Sequence, residues 1–288
     1  MLEADDSSFS AGSGSHSLPG GPSSRIPRRN YRRTLLLPIL FLAVVAAYAF
    51  FIEPKRIEVT HQIFPGKVRR PLRIAHVSDL HTRGFGPRER TLVLLIRKEN
   101  PDLIVITGDT VDHGSLAPAR DFMANLSAPL GVWVVRGNWE KWTLNEDERA
   151  FYAGFGAHFL DNAGAAARDD VWIAGLDDPM SGSPDLSRAL FGAPLDSFKL
   201  VLMHSPDYFA EIGGRFDLAL AGHTHGGQVV LPFWGPLWVP EGGKRYLRGF
   251  YSQNNSHLYV SRGVGTSIAP VRLNCRPELA IIDLKPEF

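Results

Sequence analysis

Short apolar runs alternate with stretches of helical periodicity from Pro71 to the C-terminus. Runs rich in Val, Ile and Leu predict buried strands, and leucines or isoleucines three or four residues apart predict helices packed against them. Because the two kinds of segment alternate, the pattern is typical of an α/β domain. The predicted strands are 72–77, 102–107, 131–135, 158–160, 171–176, 198–203, 216–221, 258–260 and 279–284, and the predicted helices are 88–99, 117–126 and 146–155.

The chain ahead of this domain predicts a membrane anchor. Residues 34–52 (TLLLPILFLAVVAAYAFFI) carry no charge, and their number is close to the roughly 20 residues that cross a bilayer core. Residues 1–33 are rich in Ser, Gly and Pro and turn basic toward their end, which predicts a disordered tail. We expect residues 53–70 to be a linker and residues 71–288 to form the folded domain.

A cleaved signal peptide is the alternative to an anchor. Arg32-Arg33 resembles a loose twin-arginine signal, and Ala47-Tyr48-Ala49 resembles a small-x-small cleavage site. The uncleaved anchor is favoured because the apolar run continues past that site to Ile52.

The basic residues around the span predict its orientation. Similar numbers lie on the two sides, but those nearest the span are on the N-terminal side. The positive-inside rule therefore predicts a single-pass protein of the cell membrane with an extracytoplasmic domain. The flanking residues are Arg25, Arg28, Arg29, Arg32 and Arg33 before the span, and Lys55, Arg56, Lys67, Arg69 and Arg70 after it.

Composition narrows the possible chemistry. The 288 residues are 44% hydrophobic and carry a net charge of +1, so there is no global signal for nucleic-acid binding. The single cysteine, Cys275, excludes a disulfide or a thiolate zinc cluster within one chain. Any metal site must use His, Asp, Glu and Asn, a ligand set that suits Mn, Fe or Zn. No feature of the sequence fixes an oligomeric state.

The stretch 222–228 (GHTHGGQ) carries the strongest chemical signal. In an extended segment, residues i and i+2 point to the same side, so His223 and His225 can converge on one ion. The flanking glycines permit a sharp turn and a close approach of the backbone. Because a predicted strand, 216–221, comes just before, the pair lies at a strand's C-terminal end. Two hydrogen-bonded loop histidines are the alternative, and the other strand ends decide between them.

Other predicted strands also end in residue types that bind metal ions. Ligands of α/β sheets bind beyond the carboxyl ends of the strands, where these side chains are expected to meet. An Asp after a strand often caps a turn, but packing does not explain so many such ends together. The residues are Asp79 and His81, Asp109, Asn138, His204, and His223 with His225.

These side chains exceed the coordination of one ion and suit two. Two-metal hydrolases hold their ions about 3.5–4 Å apart, with a carboxylate between them. A hydroxide shared by two cations is a nucleophile at neutral pH, and the ions neutralise the oxygens of a phosphoryl group under attack. The expected groups are Asp79, His81 and His225 for one ion, Asn138, His204 and His223 for the other, and Asp109 as the bridge.

The order D-L-H, G-D, G-N, a single H, and G-H-T-H resembles the calcineurin-like metallophosphoesterase superfamily over residues 71–288. The HSPD and GHTHGGQV sequences resemble its membrane-associated or secreted YkuE/YaeI-type phosphodiesterase branch. The resemblance implies a four-layer α/β/β/α sandwich of two mixed sheets, with two divalent metal ions at the sheet edge. It also implies phosphoric ester hydrolysis, with Asp109 and Asn138 taking part in catalysis as well as in metal binding.

One position departs from the family pattern. The family usually has a histidine after the G-N pair, which contacts the phosphate and can protonate the leaving group, whereas this chain has Trp139. An indole has one N–H donor and no useful proton to transfer. We therefore expect Trp139 to contact the substrate, and we expect pyrophosphates or aryl-type esters to be better substrates than alkyl diesters.

An aromatic-rich stretch with basic residues follows the histidine pair. Ordinary hairpin packing is one interpretation. The other is a lip beside the metals that receives an apolar, phosphate-bearing substrate near a membrane. The residues are Phe233, Trp234, Trp238, Tyr246, Phe250 and Tyr251, with Lys244, Arg245 and Arg248.

The functional interpretations differ in substrate and in class. The leading one is a membrane-tethered dinuclear phosphoesterase. The second is a pyrophosphatase acting on a lipid-linked nucleotide of the UDP-diacylglucosamine type, which requires a domain facing the cytoplasm. The third is a non-catalytic scaffold of the same fold, which only Trp139 supports and which the full ligand set disfavours.

Overall fold

A computed structural model of the protein describes residues 31–143 and 146–287. The chain divides into two units, the first ending at Leu42 and the second running from Ala43 onward. The predicted disordered tail, 1–33, lies outside the described residues except for 31–33, which open the first helix, α1 (Tyr31–Phe51). Within the described part of the chain, residues 36–55 are the one stretch long and apolar enough to cross a membrane, and most of it is exposed.

The first sheet of the domain has six strands and mixed direction. Its central strands run parallel, and the last strand of the chain inserts antiparallel beside the first of them. In spatial order the strands are β1 (Glu58–Gly66), β14 (Glu278–Pro286), β2 (Leu72–Val77), β3 (Leu103–Thr107), β4 (Val132–Val135) and β5 (His158–Phe159).

The second sheet also has six strands and mixed direction. Four neighbouring strands are parallel, and an antiparallel strand closes each edge. In spatial order they are β12 (Gly249–Gln253), β13 (Ser256–Val260), β9 (Leu218–Ala221), β8 (Phe198–Leu202), β7 (Val171–Gly175) and β6 (Ala163–Arg168). A separate small hairpin pairs β10 (Val230–Leu231) with β11 (Gly235–Pro236).

Three hydrophobic cores separate four layers. The middle core lies between the sheets, where Ile74 and Val105 of the first meet Leu200 and Leu220 of the second. The two outer cores lie between each sheet and its helices. Because every central strand is covered on both faces, its apolar run is nearly continuous, as the sequence shows. The predicted α/β/β/α sandwich of two mixed sheets is confirmed.

Local signals in the sequence explain the helix boundaries. Helix α2 begins with Pro87 at its first position and ends at Glu99, and the left-handed conformation of Asn100 closes its last turn. Helix α5 begins after Asp147, whose side chain accepts a hydrogen bond from the Ala150 N–H. The helices after α1 are α2 (Pro87–Glu99), α3 (Arg120–Ala124), α4 (Asn138–Thr143), α5 (Glu148–Ala153), α6 (Leu186–Ala189) and α7 (Phe209–Ile212), and 3₁₀ turns lie at Glu53–Lys55, Ala117–Ala119, Pro206–Tyr208 and His225–Gly227.

The stretch predicted as a linker, 53–70, contains a strand of the first sheet. Glu58–Gly66 is β1, which pairs in parallel with β14 over its whole length. Before it, Glu53 is buried and accepts a hydrogen bond from the Cys275 N–H. The folded body therefore begins earlier in the chain than the apolar pattern predicts. The strands β6, β12 and the β10–β11 hairpin were also not predicted.

Candidate metal centre

The site lies where the C-terminal ends of β2, β3 and β4 in one sheet meet those of β8 and β9 in the other. The loops pack so closely that two positions require glycine. A Cβ on Gly108 would lie 2.5 Å from the Gly137 nitrogen, and one on Gly137 would lie 2.2 Å from Asp109 Oδ1. The glycines that precede Asp109 and Asn138 therefore let two strand ends approach each other.

Most of the predicted ligands have a left-handed backbone, which non-glycine residues rarely adopt. This conformation turns a side chain sharply away from its strand direction, so that residues from different loops converge on one point. Such strain persists only where the surroundings enforce it, and it is concentrated at functional sites. The residues and their φ angles are Asp79 (51°), His81 (44°), Asp109 (52°), His223 (70°) and His225 (49°).

The first group of potential ligands is Asp79, His81 and His225, and all three are buried. The Nε2 atoms of the two imidazoles lie 3.2 Å apart, and His225 Nε2 is 3.7 Å from Asp79 Oδ1. The Asp79 carboxylate also accepts hydrogen bonds from the His223 N–H, at 2.8 and 3.0 Å. This carboxylate therefore joins the end of β2 to the loop after β9.

The second group is Asp109, His204 and His223, again all buried. His204 Nε2 lies 3.2 Å from Asp109 Oδ2 and 3.2 Å from His223 Nδ1. Asn138 joins this group, since its Oδ1 is 3.1 Å from the same His204 nitrogen. The structure thus brings together all the residues that the strand ends predict as ligands.

Asp109 lies between the two groups. Its Oδ2 is 3.5 Å from His81 Nε2 in the first group and 3.2 Å from His204 Nε2 in the second. Its other oxygen accepts a hydrogen bond from the Trp139 N–H at 3.0 Å, which fixes the carboxylate plane. This is the position that a bridging carboxylate needs.

The donor set fits metal cations. His204 Nδ1 donates to the Thr107 carbonyl at 2.7 Å, and His223 Nε2 donates to the Glu241 carbonyl at 2.6 Å. In the neutral rings, each histidine therefore turns an unprotonated nitrogen toward the other. Two lone pairs 3.2 Å apart repel unless a cation lies between or beside them.

The electrostatics of the site point the same way. Burial opposes protonation of His204, yet the nearby carboxylates of Asp109 and Asp79 raise its pKa well above the usual range. Burial also works against the charge on Asp109, but its histidine neighbours, His204 first, hold its pKa at about 2. Positive charge therefore stabilises the buried carboxylates. A proton supplies it in the free site, and a metal ion would supply it in the metal-bound site.

Two buried side chains that the strand-end argument missed hold the site together. Glu140 accepts hydrogen bonds from the N–H groups of Gly137 and Asp109, both at 2.9 Å, and so ties the ends of β3 and β4. Arg272 is fully buried, donates to several backbone carbonyls, and places Nη2 3.4 Å from His225 Nδ1. Burial, with the charges of His81 and Arg272, holds the pKa of His225 well below its usual value.

Trp139 lies at the edge of the first group. Its ring packs edge-to-face on His81, with the centroids 5.8 Å apart, and on His113 at 5.1 Å. The indole is thus close enough to the ligands to shape the space that a substrate would occupy.

A cavity of about 750 Å³ opens beside His81. Phe50, Phe85 and Ile268 give it apolar walls, and Lys55 and Arg83 supply positive charge. It is large enough for a small organic ligand with both a charged and an apolar part.

The aromatic stretch after the histidine pair splits into two parts. Tyr246 and Tyr251 pack on each other at 4.9 Å, and Tyr246 packs on Phe209 at 5.4 Å, which is ordinary packing against an outer core. Phe250 packs on Phe64 and Tyr259. Phe233, Trp234 and Trp238 remain exposed.

Comparisons with known proteins agree with this geometry. Residues 72–227, which include all the predicted ligands, match the family model of calcineurin-like phosphoesterases. The chain is 33% identical to the uncharacterised metallophosphoesterase YkuE of Bacillus subtilis, over 83% of this chain and 89% of that protein. It is 29% identical to the phosphodiesterase YaeI of Escherichia coli, over 74% and 82% of the two chains. It is 28% identical to a transmembrane protein with a metallophosphoesterase domain from Danio rerio, over 89% of this chain and 63% of that protein.

Proposed function

The chain belongs to the calcineurin-like phosphoesterase family and is a phosphoric ester hydrolase, and we propose that it cleaves phosphate ester or pyrophosphate bonds with two divalent metal ions. The observation that carries the proposal is the placement of Asp109 Oδ2 between two groups of buried ligands. One shared carboxylate between two such groups is the arrangement of two-metal hydrolases.

The residues of this chain have distinct tasks in the proposed reaction. Asp79, His81 and His225 would hold one ion, Asn138, His204 and His223 the other, and Asp109 both. When bound, the ions, which we take to be Mn, Fe or Zn, supply charge that polarises the phosphoryl group and makes a water more acidic.

Other side chains orient these ligands. The carbonyls of Thr107 and Glu241 fix the rings of His204 and His223, so that the free nitrogen of each faces the site. Glu140 holds the loops that carry Asp109 and Asn138 in register. The protein therefore offers a preformed site, and little reorganisation is needed when a substrate binds.

We infer that the substrate combines a phosphate with an apolar part. The cavity beside His81 pairs Lys55 and Arg83 with aromatic and aliphatic walls, which suits such a molecule. Because Trp139 replaces a proton-donating histidine, good leaving groups are favoured. A lipid-linked nucleotide pyrophosphate is the second candidate, and the same cavity supports it. The scaffold alternative has no comparable support, since the ligand set is complete.

We further propose that α1 anchors the protein in the cell membrane with the domain on the extracytoplasmic side. The length and apolar character of residues 36–55 support the anchor. The basic residues before the span support the orientation. A cytoplasmic domain would favour the lipid-linked nucleotide instead.

The test compares Asp109→Asn with Asp170→Asn. Asp170 is a second buried carboxylate, but it pairs with Arg168 away from the site, so its variant controls for the loss of a buried charge. We expect full-length wild type and the control, purified with Mn²⁺, to hold metal and to hydrolyse a phosphodiester, and Asp109→Asn to lose metal and activity. Mass spectrometry of the metal content gives a readout besides activity. A wild-type protein that holds no metal in excess Mn²⁺ would contradict the proposal.

A further inference from the structure

Large apolar side chains project from two loops that follow the metal site. At the tip of the β10–β11 hairpin, Phe233 is fully exposed and Trp234 is 87% exposed, and Leu237 and Trp238 just after it are more than half exposed. In the second loop Ile268 is 82% exposed. We call these five residues the apolar rim. Exposed apolar side chains grouped in this way usually mark a surface that binds something.

Two residues of the rim are held in a strained backbone conformation. Phe233 has φ 67° and Ile268 has φ 65°. Outside the metal site, most other non-glycine residues with positive φ are asparagines, which tolerate it. A bulky or β-branched residue at such an angle is an outlier, and these two side chains gain no burial in return. Packing within the fold therefore does not explain why these two side chains are exposed.

Both loops are fixed to one segment, which directly follows the ligand His225. The Gln228 side chain donates to the carbonyls of Ser267 and Ala269, both at 3.1 Å, and so clamps the loop on either side of Ile268. The hairpin begins at the next residues, where the Val230 N–H donates to the Leu273 carbonyl at 2.8 Å. The two parts of the rim therefore share one rigid base.

The residues that pair with this base are joined to the last turn of α1, because Arg272 directly precedes Leu273. The Arg272 N–H donates to the carbonyl of Ala49 at 3.0 Å. Ile268 also lines the same cavity as Phe50 and Lys55, which lie where the chain leaves the helix. The rim loops are thus attached to the point at which the proposed anchor enters the domain.

We propose that the apolar rim inserts into the interfacial layer of the bilayer that holds α1, so that the domain docks on the membrane surface. Aromatic side chains favour the headgroup level, where one side of the ring is apolar and the other wet. Arg248 is exposed, and its guanidinium lies 4.0 Å from Cys275 Sγ near the loop base, so it adds attraction to anionic headgroups. The inference rests on the anchor part of the proposed function and not on catalysis.

Site-specific fluorescence on the full-length protein tests this proposal. An environment-sensitive fluorophore is attached to Trp234→Cys and, separately, to Ile268→Cys, in vesicles of phosphatidylcholine and phosphatidylglycerol with and without nitroxide-labelled lipid. Leu195→Cys is the matched control, because Leu195 is 98% exposed but lies before β8, at the opposite end of the sheet from the site. The native Cys275 is buried, and labelling of the wild type gives the blank.

We expect both rim labels to shift to the blue and to be quenched by the nitroxide lipid, and the Leu195→Cys label to do neither. A protein that floats with the vesicles but whose rim labels are unquenched would overturn the docking alone. A blue shift without quenching would show that a protein surface, such as a second copy of the chain, covers the rim, and would also overturn it. A protein that does not float with the vesicles would contradict both the anchor and the docking.

Discussion

The predicted ligand residues carry backbone strain that the fold maintains through hydrogen bonds. Each left-handed non-glycine residue costs on the order of 1–3 kcal/mol. At the end of β2 the Asp79 N–H donates to the Gly108 carbonyl, and the His81 N–H donates to the Asp109 carbonyl. These bonds join the ends of β2 and β3. A change of Asp79 or His81 to an unstrained backbone conformation would break them. The loops that carry Asp79, His81 and Asp109 are therefore tied together through their backbones.

The sequence alone predicts which side chains meet at the site but not the residues that hold them in place. His204 and Asn138 are predicted as ligands because each follows a strand and belongs to a residue type that binds metal ions. Glu140 accepts from the Asp109 N–H of another loop, and Arg272 donates to the carbonyls of Arg262 and Gly265, so neither contact follows the period of a helix or strand. Glu140 could have been identified, because it is an acidic residue two positions after the predicted ligand Asn138. For Arg272 no sequence feature pointed to a buried cation.

Trp139 offers a test of leaving-group chemistry. Its backbone N–H binds Asp109 and its ring packs against His81, so a histidine at this position would stand beside the predicted metal ligands. We expect Trp139→His to accelerate substrates with poor leaving groups more than those with good ones, because only the former need a proton in the transition state. General-acid help is worth roughly 10²–10⁴ in rate at most sites that use it. The measurement is kcat/KM for a series of aryl and alkyl diesters of rising leaving-group pKa.

The informative quantity is the slope of that series and not the absolute rate. Removing an indole can leave a hole or shift Asn138, and either effect lowers all rates together. Equal slopes in the wild type and the variant would mean that the position serves packing or substrate fit and not proton transfer.

Among the elements, β1 shows where prediction from the sequence fails. Its residues alternate only weakly between buried and exposed, it contains Pro65, and basic residues surround it. What makes it a strand is β14, more than two hundred residues later, which pairs with it throughout. The central strands were predicted correctly because burial on both faces gives each a continuous apolar run. An edge strand with a remote partner has no such run.

The neighbours β2 and β3 are joined by a buried histidine. His76 on β2 is fully buried, and its Nε2 lies 2.8 Å from Thr107 Oγ1 on β3. Because Thr107 Oγ1 donates onward to Ser78 Oγ, the imidazole is the donor to Thr107. Within the described part of the chain its Nδ1 has no hydrogen-bond partner, so a second proton there would be buried without an acceptor. Burial accordingly lowers the pKa of His76 to about 4.

This histidine should make the stability of the domain pH-dependent. Between its unfolded pKa of about 6.5 and its folded pKa of about 4, only the unfolded chain binds the proton. Stability from this group is therefore complete above pH 6.5 and is lost as the pH falls toward 4, by on the order of 3 kcal/mol. We expect His76→Gln, which keeps a donor for Thr107 but does not titrate, to flatten the curve in this window.

The check is denaturant unfolding of wild type and His76→Gln in detergent at several pH values from 4 to 7. The site histidines titrate in both proteins, so the difference between the two curves isolates His76. Parallel curves would show that His76 does not take up a proton on unfolding in this range.

For the whole molecule, the end of α1 belongs to the folded body. Ala49 is buried, and its carbonyl accepts the hydrogen bond from the Arg272 N–H. Four residues later, Glu53 is buried and bound to the Cys275 N–H. Cleavage after Ala49, the site that a signal peptide would use, would remove the acceptor of the Arg272 N–H. The structure thus adds a physical reason to favour an uncleaved anchor.

We therefore expect the full-length protein to stay with membranes through a carbonate wash, and its N-terminal sequence to begin before residue 34. Ala47→Leu provides the control, because Ala47 is exposed on α1 and a large residue there blocks a small-x-small cleavage site without disturbing the core. If the anchor is uncleaved, mass spectrometry should give each protein the mass calculated for its own uncleaved chain, so that the two masses differ only by the Ala47→Leu substitution. A soluble wild-type form that begins at Phe50, together with a larger, membrane-bound Ala47→Leu, would instead show that the chain up to Ala49 is a cleaved signal peptide. The domain would then fold without the Ala49–Arg272 bond.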